Sequence, residues 1–124
     1  GNGQIAKTAN QIIVGLNIGA VAEALALIKS AGADPISICD SLTGGFADSR
    51  VLEIHGQRML YEDFKPGARS IIQQKDLAQA LELAKDLGLE LPATKIIKSL
   101  YDKLIKAGHG TLDHSALIKV IDPD

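Results

Sequence analysis

From Gln4 to Ala31 the sequence keeps one helical register, far longer than a typical globular helix. Apolar residues recur at Ile5, Ala9, Ile12, Ile13, Leu16, Ala20, Ala24 and Leu27. Gly15 and Gly19 lie inside this stretch, and each costs roughly 1 kcal/mol relative to Ala in a helix interior. Small residues four apart make sense where other helices cross closely, so this helix is expected to be central and packed on several sides, with Gly32 closing it. Aromatic residues are only 3% of the chain, which leaves Leu, Ile, Val and Ala to build the core.

No stretch alternates with the two-residue period of a half-buried strand. Asp34-Pro35 is a start signal, with a capping carboxylate and a proline at the first helical position; that helix ends before Gly44-Gly45. Asp48 or Ser49 caps a segment reaching Leu60, and Tyr61 to Gly67 reads as a loop. Further helices are expected from about Ser70 to Leu87, from Pro92 to a stop at Gly108, and from a capping Asp113 to the end. The prediction is an all-α fold: six helices in a single domain spanning residues 1–124, with the long helix at its centre.

Composition limits the functions open to such a chain. At 46% hydrophobic and 23% charged, it reads as an ordinary globular domain of 124 residues. Its net charge of −2 offers no cationic field for nucleic acid or anionic lipid, and polar interruptions argue against a membrane-spanning helix. Cys39 alone cannot form an internal disulfide, and a reducing cytoplasm is the expected compartment. Gly1 in place of Met suggests a processed product or a piece of something longer.

Gly1-x-Gly3-x-x-Ala6 imitates a dinucleotide-binding turn. That turn works only inside a βαβ unit, and no strand pattern follows, so the match is read as chance. The same glycines also open G-x-G-x-x-x-K-x-x-N, made by Gly1, Gly3, Lys7 and Asn10. Lys7 and Asn10 leave one helix face, with Gln11 and Asn17 bordering it. An ammonium and carboxamides on an otherwise apolar helix form either a solvated stripe or a binding face.

This motif resembles the catalytic-helix motif of the β-hydroxyacid dehydrogenases, the 3-hydroxyisobutyrate dehydrogenase and tartronate semialdehyde reductase group. Three further elements are similar in the same order: Leu42-Thr43-Gly44-Gly45-Phe46-Ala47-Asp48-Ser49, Phe64-Lys65-Pro66-Gly67 followed by Lys75-Asp76-Leu77, and Asp113-His114-Ser115-Ala116. The wording of Gln4 to Lys7 and of Gly44 to Ala47 resembles the tartronate semialdehyde (2-hydroxy-3-oxopropionate) reductase branch most.

The resemblance implies the helical C-terminal domain of a two-domain oxidoreductase, similar to the C-terminal domain of 6-phosphogluconate dehydrogenase. An N-terminal Rossmann domain, not in this chain, would bind most of an NAD or NADP cofactor. The substrate would be a small 3-hydroxy acid or its semialdehyde, with tartronate semialdehyde and glycerate ahead of 3-hydroxyisobutyrate or threonate. A non-catalytic pairing scaffold is the alternative. The resemblance makes Lys7 the catalytic lysine, Asn10 and Gln11 substrate-binding, and Lys75 and Phe64 cofactor-binding, with the core as an equal alternative for Phe64.

A lysine titrates near ~10.4, so Lys7 needs desolvation or a neighbouring cation to act near neutrality. The apolar helix is expected to supply the first and Lys75 the second. Asp76 is expected to be structural, pairing with a neighbouring base. His55, His109 and His114 are too scattered for a metal site; His55 suits a bonded core position, while His109 and His114 are expected to be exposed. Cys39 is expected to be an inert buried thiol, and Ser49 and Ser115 to be helix caps. Family members pair through this domain, so a homodimer or homotetramer is expected.

Overall fold

A computed structural model describes residues 1–122 and places every regular element in a helix. The elements are α1 (Asn2–Ser30), α2 (Pro35–Leu42), α3 (Arg50–Leu60), α4 (Ser70–Asp86), α5 (Pro92–Lys106), a 3-10 turn (His114–Leu117) and α6 (Ile118–Ile121). No strand occurs among the described residues; a single antiparallel bridge joins Arg69 to Asp113.

Local chemistry fixes the ends. Asp34 accepts the Ile36 N–H ahead of Pro35, and Ser49 accepts the Leu52 N–H to start α3. Asp113 accepts the Ser115 N–H at the 3-10 turn, so the carboxylate caps there and Ser115 does not. Gly32 takes φ +77° after α1, a left-handed conformation that glycine adopts without steric penalty.

Helix α1 is the axis around which α3, α4 and α5 pack. Ile18, Ala22 and Leu25 are fully buried on it and join Leu77, Tyr101, Leu104, Ala116 and Leu117 in the core. Its two glycines mark the close crossings. A methyl on Gly15 would stand 2.9 Å from Gln73 Nε2 on α4, and one on Gly19 would stand 2.5 Å from Ile97 Cδ1 on α5. By length and composition α1 is apolar enough to cross a membrane, contrary to the sequence reading. Here its apolar inner side is covered by protein instead.

The contacts that α1 makes with α4 also show their relative direction. Gln11 and Gly15 meet Gln73, while Ile5 and Ile12 share an apolar groove with Ala80, Leu83 and Leu87. The helices are antiparallel, so the Lys75-Asp76 pair lies beside the first third of α1.

Candidate active site

Lys7 is exposed. The desolvation expected from this chain is therefore absent: the ammonium stands on an exposed face of α1. Three residues on, Asn10 donates from Nδ2 to Gln11 Oε1 at 3.0 Å. Gln11 in turn donates from Nε2 to Asp76 Oδ2 on α4 at 2.8 Å. Asp76 thus pairs with a carboxamide rather than with the base expected for it. Asn17 stays apart from this group and bonds back to the Ile13 carbonyl of its own helix. Lys75, next to Asp76, is exposed.

Phe64 belongs elsewhere. It is buried in the core beside Met59 and Ile118, with the Lys119 ammonium 5.2 Å from its ring centroid. It lines a small cleft with Lys29, whereas Lys7 lies 22 residues earlier on α1, roughly 33 Å away at about 1.5 Å per residue. Phe64 thus takes the core position that the sequence left open as an alternative for it, toward the opposite end of the axial helix from Lys7.

Beneath the Lys7 face runs a polar chain that the sequence did not suggest. Gln73, almost fully buried, donates from Nε2 to the Gln11 carbonyl at 3.1 Å. Its Oε1 lies 3.1 Å from His114 Nδ1, and His114 Nε2 lies 3.1 Å from His55 Nε2. The protons can be assigned along this chain. The Gln11 carbonyl can only accept, so Gln73 turns its oxygen to His114, which must carry its proton on Nδ1. His114 Nε2 is then an acceptor, and His55 must donate from Nε2. That leaves His55 Nδ1 bare, which explains why this buried nitrogen has no partner although Asp113 Oδ2 is 3.8 Å away.

The neutral forms have a physical cause. Burial, opposed by Asp113 and aided by His55 and Arg58, pushes His114 down to about 4. His55 is lowered by burial, with Asp113 opposing and Arg58 assisting. Burial alone would raise Asp113, but Ser115 Oγ and the N–H groups of Ala68, Ser115 and Gly67 outweigh it and hold the carboxyl at about 2.

His114 is thus buried rather than exposed, and His109 is half-buried. Cys39 is also only half-buried, on α2 against the core. The ligand atoms of His55, Asp113 and His114 lie within 4.8 Å of one another, a proximity that the scattered sequence positions concealed. Asp113 is nevertheless committed to its capping donors, and the Arg58 guanidinium stands 3.8 Å from it. The cluster therefore reads as a hydrogen-bonded strut.

Solved structures of similar shape define the class. The 3-hydroxyisobutyrate dehydrogenase of Salmonella typhimurium superposes with a TM-score of 0.89 at 31% identity, over 94% of this chain and 41% of that one. The Mycobacterium tuberculosis 3-hydroxyisobutyrate dehydrogenase, solved with L-serine, gives 0.85 at 26% identity, over 95% of this chain and 43% of that one. This is a helical domain of the 3-hydroxyisobutyrate dehydrogenase type.

The chain belongs to the family described as NAD-binding of NADP-dependent 3-hydroxyisobutyrate dehydrogenase, which matches residues 1–121. It is 49% identical over 122 residues to the 2-hydroxy-3-oxopropionate reductase of Escherichia coli, covering 98% of this chain and 42% of that protein. The chain thus spans about two fifths of the length of these relatives.

Proposed function

We propose that this chain is the substrate-binding and catalytic half of an NAD(P)-dependent oxidoreductase that interconverts a small 3-hydroxy acid and its semialdehyde, with tartronate semialdehyde and glycerate as the pair. The observation that carries this reading is the outer face at the start of α1. There Lys7 stands free, one turn from an Asn10 carboxamide that is held through Gln11 to Asp76. The 49% identity to a 2-hydroxy-3-oxopropionate reductase supports the choice of substrate.

No strand–turn–helix that would cradle a pyrophosphate occurs among the described residues, so this chain fits the substrate end of such a site. A second, Rossmann-type domain would hold NAD or NADP, and the nicotinamide would supply or accept the hydride. Lys7 Nζ would give its proton to the substrate oxygen during reduction and recover one during oxidation. Asn10 and Gln11 would orient the substrate, and Lys75 would add a fixed cation beside the cleft. Closing the second domain over Lys7 would exclude water that this chain leaves in place.

The test is a fusion of this chain to the remaining part of the Escherichia coli reductase, assayed on short semialdehydes with NADH and NADPH. Tartronate semialdehyde is expected to turn over best. Lys7→Ala is expected to lower kcat by a factor on the order of 10²–10⁴ while cofactor binding persists. Retained turnover in Lys7→Ala would remove the lysine from the chemistry, and preference for 3-hydroxyisobutyrate would shift the substrate.

A further inference from the structure

The hydrogen bonds at the start of α1 run in one direction, and that direction has a chemical consequence. A carboxylate can only accept, so Asp76 requires Gln11 to point its Nε2 across to α4. Gln11 Oε1 then faces Asn10, and Asn10 must answer with its Nδ2. The Gln11 main chain cannot shift to relieve this order, because Gln73 grips its carbonyl from α4. One acceptor-only group on α4 therefore decides which end of a carboxamide two residues away is spoken for. The uncommitted end is Asn10 Oδ1, on an exposed residue three positions from Lys7.

We infer that Asp76 is a positioning residue which, through Gln11, locks the Asn10 carboxamide with its oxygen presented as an acceptor, and that this oxygen selects substrates bearing a second hydroxyl. The inference rests on the proposed function and adds a chemical criterion to it. A short hydroxy acid with a hydroxyl beside its reacting carbon can donate to Asn10 Oδ1. An analogue with a methyl at that position leaves the oxygen desolvated and unpaired. A site built to pair a hydroxyl rejects the analogue lacking it far more strongly than an apolar pocket rejects an extra group.

Two measurements test it separately. In the ¹⁵N-labelled 124-residue chain, the side-chain amide signals of Asn10 report its hydrogen bond directly, with no catalysis required. Asp76→Leu, which replaces the acceptor with a bulkier apolar side chain, and Asp76→Ala, which removes it with less bulk, are both expected to move these signals toward those of a free amide. Asp76→Asn keeps a carbonyl able to accept from Gln11 and is expected to retain most of the native pattern. In the fusion enzyme, the ratio of kcat/KM for the hydroxylated substrate to that for its methyl analogue is expected to fall about tenfold in Asp76→Leu, through KM, and to recover in Asp76→Asn. Unchanged Asn10 signals in both the Leu and Ala variants would overturn the inference, as would an equal loss on the two substrates. An inactive wild-type fusion with shifted Asn10 signals would instead count against the proposed reaction and leave the lock standing.

Discussion

At the scale of single residues, the most consequential group is one whose members lie far apart in sequence. Gln73, His114, His55 and Asp113 come from α4, the 3-10 turn, α3 and the cap of that turn. Caps such as Asp34 and Ser49 were legible because a cap and its partner lie two or three positions apart. A strut spanning separations of 41 and 59 residues leaves no local pattern, and so His114 read as a solvent-facing loop histidine.

The strut has a signed pH dependence. His114 is held at about 4, below its ordinary 6.5, so its stabilisation is full above pH 6.5 and is lost as pH falls toward 4. Asp113 is held at about 2 against an ordinary 3.8, so its contribution is present above 3.8 and is lost on falling toward 2. Both act in the same direction. Thermal unfolding followed from pH 7 to pH 4 is expected to show a falling Tm. His114→Gln, which keeps an uncharged polar side chain, is expected to flatten the profile between 6.5 and 4. A profile of unchanged steepness in that variant would remove His114 as the cause.

At the scale of elements, helix existence and order followed from periodicity, and the boundaries fell within a few residues because Pro, Gly and Asp mark them. The two glycines of α1 pointed to close crossings, but not to what fills each gap. That difference is measurable. At Gly19 the intruding atom is the tip of a half-buried isoleucine, which can turn aside. Gly19→Ala should be close to neutral, with roughly 1 kcal/mol of helix propensity gained against a small repacking cost. At Gly15 the intruder is the buried, doubly bonded Gln73 amide, which cannot move without abandoning the Gln11 carbonyl or His114. Gly15→Ala should therefore destabilise by about 1–2 kcal/mol despite the better propensity. Urea unfolding of the two variants makes the comparison, and equal effects would contradict it.

At the scale of the whole molecule, α1 shows more apolar surface than a lone domain hides. Ile5, Ile13 and Leu27 are 56%, 62% and 72% exposed along it. We expect a second copy of the chain to cover part of this surface, giving a dimer or larger assembly in sedimentation that Ile13→Glu weakens. A monomer at high concentration would exclude that pairing. The candidate site was legible only in part: the Lys7–Asn10 spacing showed a shared face, but the motif around Phe64 left open whether its ring lines a pocket or packs in the core, where it sits. Motif order is blind to which end of a long helix a loop folds against.

One uninterrupted helix carries Lys7 near its start and packs against α3, α4 and α5, with no break between the two. Any motion that opens or shuts a cleft over Lys7 must pivot outside Asn2–Ser30. On the proposed reading this chain is then the anvil, and whatever closes on it does the swinging.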